Sequence, residues 1–160
     1  MRKRLFALLT LCMLTLTGLL VCPATAQNQI FEKYNNLDGV EYICLTKWML
    51  RHLKSTDNSV TINGVKLQGL SNAIEVILII NSDNAKAGAQ MKEDFNTLKS
   101  DPDYNVMMVV KDNNSHVSTL LNDKNPVKEF VMYIDEDDEQ TFIVLTGKLT
   151  DEMIQKLLAQ

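Results

Sequence analysis

The 160-residue chain predicts an α+β domain: a mostly antiparallel sheet with a C-terminal four-strand meander and helices packed on one face. Three observations carry that expectation. Four β-rich segments follow residue 103 with short polar turns between them, and short connections make hairpins, whereas parallel pairing needs a longer crossover. Ala73 to Ile80 is apolar except for Glu75, rich in β-branched residues and short for a helix, as in a central strand covered on both faces. Between and after these segments, apolar residues recur at helical spacing.

Taken in order, Ile30, Phe31 and Tyr34 share one side of a short helix over 30–34, which Asp38-Gly39 ends. Val40 to Leu45 is a strand by its β-branched and aromatic content. Thr46 is placed to cap a second helix in which Trp48, Met49, Leu50 and Leu53 form one stripe. Lys54 to Ser59 is a polar loop. Val60-Thr61-Ile62 and Val65 flank Asn63-Gly64, a pair suited to a type I′ hairpin turn. After the apolar strand, Ser82 or Asp83 caps a helix to about Lys99 whose apolar side is Ala85, Ala89, Met91, Phe95 and Leu98; Asp101-Pro102 stops it. The meander strands are 104–111, 115–121, 127–135 and 140–147, turning at 112–114, 122–125 and the acidic tip Asp135 to Glu139. Thr150 caps a final helix with the stripe Leu149, Met153, Ile154, Leu157 and Leu158.

The amino terminus reads differently. Arg2, Lys3 and Arg4 precede an apolar run from Leu5 to Val21, Pro23 breaks it, and Ala24-Thr25-Ala26 is an Ala-x-Ala cleavage site. Residues 1–26 are therefore expected to be a secretory signal peptide cut between Ala26 and Gln27, leaving 27–160 as a single α+β domain. Lipid attachment at Cys22 is the alternative. It is disfavoured because bulky Val21 stands where a lipoprotein signal carries a small residue. The expected location is periplasmic or secreted, with no stable membrane span once the signal is removed.

Loss of the leader removes three basic residues and no acid, so sixteen basic and twenty acidic residues become thirteen against twenty. An acidic domain without a basic patch is not built for nucleic acid or anionic lipid surfaces. Cys12 and Cys22 leave too, so Cys44 is expected as a lone thiol that closes no internal disulfide. It alternates with Val40 and Tyr42, which places it in the core as a small hydrophobe.

No catalytic or metal-ligand pattern stands out. His52, near Arg51 and Lys54, reads as a surface residue, and neither it nor His116 belongs to a metal-binding spacing. The acidic tip lacks the central glycine and distant glutamate of a calcium loop. Asn113-Asn114-Ser115 matches a glycosylation acceptor and is equally a reverse turn. Trp48 and Met49 are expected in the core stripe; exposed, they would be a partner surface.

Phe31-Glu32-Lys33-Tyr34, Gly39-Val40, Thr46-Lys47-x-Met49, Gly69-Leu70 and the ending Leu145-Thr146-Gly147-Lys148-Leu149-Thr150-Asp151-Glu152-Met153-Ile154 carry a resemblance. Over about Ile30 to Leu158 the chain resembles a Bacteroidetes family of small exported proteins catalogued as domain of unknown function 4252. The resemblance implies a periplasmic or envelope-associated domain, and it transfers no functional residues.

The expected function is a non-enzymatic binding or interaction module of the cell envelope, without a cofactor, whose partner is a protein, peptide or small ligand. One alternative is a structural or regulatory component of an envelope complex. The least supported is a thiol-dependent enzyme using Cys44, which would need a base beside the thiol.

Overall fold

A computed structural model describes residues 30–53, 61–62, 65–66, 72–124 and 126–159. The expected signal peptide, its cleavage site at Ala26 and Gln27, the 54–59 loop and the Asn63-Gly64 turn lie outside them.

The chain enters through a 3-10 turn at Glu32–Asn36. The expected short helix over 30–34 thus lies two residues later and takes the tighter form, its backbone bonds running three residues back, from Tyr34 N–H to Phe31 O and from Leu37 N–H to Tyr34 O. Gly39 follows at φ +77°, a left-handed conformation that suits glycine, and turns the chain into β1 (Glu41–Thr46). Helix α1 (Lys47–Leu53) begins directly after it; Thr46, expected as a cap, pairs with Val76 as the last residue of β1. The small hairpin of β2 (Thr61–Ile62) and β3 (Val65–Lys66) is antiparallel, as the turn chemistry predicts.

Strand β4 (Ile74–Ser82) leads into α2 (Ala85–Ser100). The cap is Asn84, whose side chain accepts from the N–H groups of Lys86 and Ala87. Ser82 stays in the strand, donates to Gly39 O at 2.6 Å and accepts from Asn84 N–H at 3.1 Å. The remaining strands are β5 (Tyr104–Lys111), β6 (Ser115–Asn122), β7 (Lys128–Glu136) and β8 (Gln140–Gly147), and α3 (Asp151–Leu158) closes the chain. Thr150 caps α3 as expected, accepting from Met153 N–H.

The six long strands form one antiparallel sheet in the order β1-β4-β8-β7-β6-β5, so β5 to β8 are the expected meander. Helix α2 carries the chain from β4 to the far edge. Its sixteen residues span about 24 Å, enough to cross the four strand spacings, about 19 Å, that separate β4 from β5.

The helices do not share one face. Phe31, Tyr34, Met91, Phe95 and Leu98 pack on one side against Leu78, Ile80, Val131, Tyr133 and Phe142. Leu50, Leu149, Ile154 and Leu157 cover the other, over Ile77, Ile79, Phe130, Ile143 and Leu145. The physical reason is visible in the central strands, where residues of both parities are apolar: a strand points successive side chains to opposite faces, so two apolar faces need two covering layers. In β4 a bulge places both Ile74 and Val76 against consecutive residues of β8, Gly147 and Thr146. The extra residue shifts the side-chain parity, so Ile74 and Ile77 both join the same core.

Candidate interaction surface at the sheet edges

Trp48 and Met49 are outside the core. Trp48 is 68% exposed and Met49 40%, whereas Leu50 is buried. The expected stripe fails for a geometric reason: three consecutive helical residues span about 200° of circumference, so they cannot all face inward. The indole stacks on the His52 ring with centroids 4.1 Å apart, and His52 Nδ1 lies 2.8 Å from Trp48 O. His52 thus sits on the surface, as expected, with its ring against the indole.

The exposed large apolar side chains fall into two groups. Leu37, Ile43, Trp48 and Met49 belong to β1 and its flanks; Val106, Met107, Val109 and Val110 belong to β5. Strands β1 and β5 are the two edges of the sheet. The first group contains the residues singled out from sequence. The second was missed, because a β-branched run reads as a core strand until the strand order places it at an edge. The one signal for it in the sequence is the lack of any charge between Asp103 and Lys111, unusual for a strand left to water.

In the full-length chain Cys44 is disulfide-bonded; the expected lone thiol is that of the chain without its leader, and Cys12 and Cys22 lie outside the described residues. Cys44 packs with Val40 and Tyr42 against the core beneath α2.

His116 and Ser118 sit two residues apart on one face of β6, with Nε2 and Oγ 3.2 Å apart, and Asp135 is the cross-strand partner of His116. The three residue types match a hydrolase triad, yet the geometry does not serve one. Ser118 is 2% exposed, out of a substrate's reach, and Asp135 is engaged by Lys92 Nζ at 2.9 Å and Gln140 Nε2 at 3.2 Å. Among the described residues, no cluster of three or more His, Cys, Asp or Glu side chains could hold a metal ion.

A groove of about 350 Å³ lies between the first half of α2 and the acidic tip, lined among others by Asp83, Gly88, Lys92, Asp137 and Gln140. Two of its carboxylates, Asp135 and Asp137, are engaged by the protein. Asp137 accepts from Asn114 Nδ2 at 2.8 Å, which ties this tip to the turn after β5, and Asp135 accepts from Lys92 and Gln140. The tip is thus more than a solvated run of charge. The glycosylation-like Asn113 occupies a tight turn closed by Asp112 N–H donating to Ser115 O.

Several buried polar groups are paired internally, whereas Thr119 Oγ1, Asn122 Oδ1 and Tyr133 OH are buried without a hydrogen-bond partner. Tyr34 OH donates to the Asp94 carboxylate, which also holds Lys33 Nζ at 2.5 Å. Tyr104 OH donates to Glu129. Lys128 Nζ bridges Asp123 at 2.8 Å and Asp151 at 2.9 Å; those two carboxylates hold its pKa above the usual lysine value. Burial, reinforced by Asp94 and Glu129 respectively, pushes the Tyr34 and Tyr104 phenols well above their ordinary range. These contacts fasten elements together and aim nothing at a ligand.

A family model described as a domain of unknown function, DUF4252, matches residues 34–157. The chain belongs to the DUF4252 family. The matched span begins at Tyr34 and runs to Leu157, both core residues, so the DUF4252 domain includes the whole sheet and both helical layers. No curated protein and no solved structure matches the chain. Among the described residues of the DUF4252 domain, no helix is long and apolar enough to cross a membrane.

Proposed function

We propose that this DUF4252 protein is an exported, non-enzymatic binding module of the cell envelope, periplasmic or secreted, whose β1 edge with Trp48 and Met49 receives a protein or peptide partner. One observation carries the reading: the indole of Trp48 stands 68% exposed with the His52 ring against it, centroids 4.1 Å apart. A large aromatic ring kept in water is uncommon, and an exposed indole with a neighbouring methionine is the composition of an interface centre. The basic-then-apolar leader with its Ala-x-Ala site supports export by cleavage before Gln27, and Val21 argues against lipid anchoring at Cys22.

The test uses intact producing cells. A photo-crosslinking amino acid at Met49 is expected to give one discrete adduct in the envelope fraction, and Trp48→Ala is expected to deplete it at least several-fold. Amino-terminal sequencing of the same material should begin at Gln27. An intact Met1 in the cytosolic fraction would remove the compartment. Turnover on a substrate panel, abolished by a single substitution, would remove the non-enzymatic reading.

A further inference from the structure

The surface around Trp48 belongs to an edge strand whose own residues describe what fits it. Among the described residues no strand pairs with the outer side of β1. On its inner side β1 keeps register with β4 from Glu41 opposite Asn81 to Thr46 opposite Val76, without a bulge. An edge that remains in water is guarded by a proline, an internal lysine or a bulge. Strand β1 has none of these, and its one charge is Glu41 at the first position. Alternation puts Glu41 and Ile43 on the same face as Leu45, which packs against the core beneath α1. Ile43 is 37% exposed on that face.

We infer that the partner received at this edge is a second copy of the chain, its β1 pairing antiparallel with β1 about a two-fold axis perpendicular to the sheet. The inference rests on the β1 edge being a partner surface and names the occupant. Charge selects that occupant and the direction. Glu41 stands at one end of the edge; at the other, α1 carries Arg51 and no acidic residue. Both side chains are exposed, and neither has an ion pair among the described residues. Lys47 adds less, because it already reaches Glu75 at 3.8 Å. An antiparallel pair brings each Glu41, on the face that α1 occupies, to the end where the other copy's α1 begins. A parallel pair would set Glu41 beside Glu41 and Arg51 beside Arg51.

The apolar side chains are self-complementary too. With the axis on Ile43 or on Cys44, Ile43 meets Ile43 or Leu45 of the second copy, apolar against apolar. The perpendicular axis keeps each helical layer on its own side of the sheet. Trp48 and Met49 of each copy, just past the end of β1, then approach the stretch from Glu41 to Ile43 of the other. The exposed indole gains an apolar neighbour, and a closed isologous pair covers both β1 edges without generating a filament.

Sedimentation of the protein purified as the cell processes it, across the micromolar range, tests the inference. A dimer is expected, and Ile43→Lys should move the midpoint of dissociation about tenfold toward monomer with unchanged far-ultraviolet circular dichroism. At low salt, Glu41→Arg alone and Arg51→Glu alone should each weaken the dimer several-fold. The double variant, which exchanges the two charges, should restore it. Both positions are exposed, so this set stays informative should Ile43→Lys fold poorly. Trp48 is the one tryptophan of the chain, and its emission should move to shorter wavelength as the dimer forms. A monomer at all concentrations, a dimer indifferent to Ile43→Lys, or a double variant as weak as the single ones would each overturn the inference. A Met49 adduct whose other member is a different protein would overturn it while leaving the β1 edge a partner surface. Neither adduct nor dimer would remove both.

Discussion

Asp94 shows how a single side chain is made tolerable inside this protein. It is 6% exposed, and a carboxylate at that depth is costly unless donors surround it. The Tyr34 hydroxyl, Lys33 Nζ and, more distantly, Gln90 Nε2 supply them. Lys33 is itself partly in water, so the buried share of the compensation falls on Tyr34. Tyr34→Phe keeps the ring and its packing beside Phe142 and removes only the hydroxyl. The expected loss is about 1.5–3 kcal/mol, the worth of a hydrogen bond to a charged group. It should appear as a lower urea midpoint at unchanged slope. A midpoint equal to that of the parent would mean that Lys33 alone satisfies Asp94. Of this arrangement the sequence revealed only that Tyr34 faces inward. Nothing in the spacing of residues 60 positions apart links Tyr34 to Asp94, because sequence periodicity reports a face and not the residue that face meets.

At the scale of elements, two glycines mark where backbone and sheet come closest, and they differ in what a methyl group would strike. A Cβ on Gly147 would stand 2.2 Å from Ala73 O and 2.9 Å from Ile74 Cα, backbone atoms at the β4 bulge. They cannot retreat without unmaking the β4–β8 register. A Cβ on Gly88 would strike Gln140 Oε1 at 1.8 Å, the end of a flexible side chain. Gln140 can swing away at the expense of its bonds to Asp135 and the Glu136 carbonyl. Alanine then returns about 1 kcal/mol of helix propensity to α2. Gly147→Ala is therefore expected to cost about 2–3 kcal/mol and Gly88→Ala to stay within about 1 kcal/mol of the parent, by chemical denaturation of both. Equal losses would refute the distinction. Elements were the most legible level of the sequence. The meander strands, the Thr150 cap and the stripe of α3 emerged with boundaries within a residue or two, because turn chemistry and periodicity are local. Asn84 lost to Ser82 and Asp83 as the expected cap because all three are good cap residues. The choice was made by Gly39, a long-range partner that engages Ser82. Placing all helices on one face also conflicted with the reading of Ala73 to Ile80 as a strand covered on both faces, whose two-sided apolarity already called for two layers. The exposure of Trp48 and of the β5 side chains was the least legible. Exposure depends on strand order and helix rotation, and neither is encoded in a local run of residues.

The whole molecule stores a pH dependence in its aromatic core. Phe95 stacks on Tyr133 with centroids 4.7 Å apart, Tyr133 meets Phe142 at 5.0 Å, and Phe142 takes the edge of Phe31 at 5.3 Å. Tyr34, Tyr104 and Tyr133 are buried and Tyr42 partly so. All four tyrosines of the chain have phenol pKa values raised above 10.0, with burial the largest cause in each. A folded pKa above the unfolded one means that the native state keeps a proton which the unfolded chain has released. The resulting stability is intact below the unfolded value and declines as pH climbs beyond it. Lys128 acts in the same direction, its pKa raised above 10.5 by hydrogen bonds to Asp123 and then Asp151. Each buried phenol removes about 1.4 kcal/mol per pH unit above its unfolded pKa. Three together remove about 4 kcal/mol per unit, enough to exhaust a domain stability of about 5–15 kcal/mol within a few units. Stability should therefore be level up to about pH 10 as far as these groups are concerned. Above it, tyrosinate absorbance should rise as one cooperative step coincident with loss of the far-ultraviolet sheet signal. Two or more phenols ionising gradually near pH 10.0 beneath an intact sheet signal would show that the core admits hydroxide or water while folded, contrary to the packing of Phe31, Phe95 and Phe142 around them.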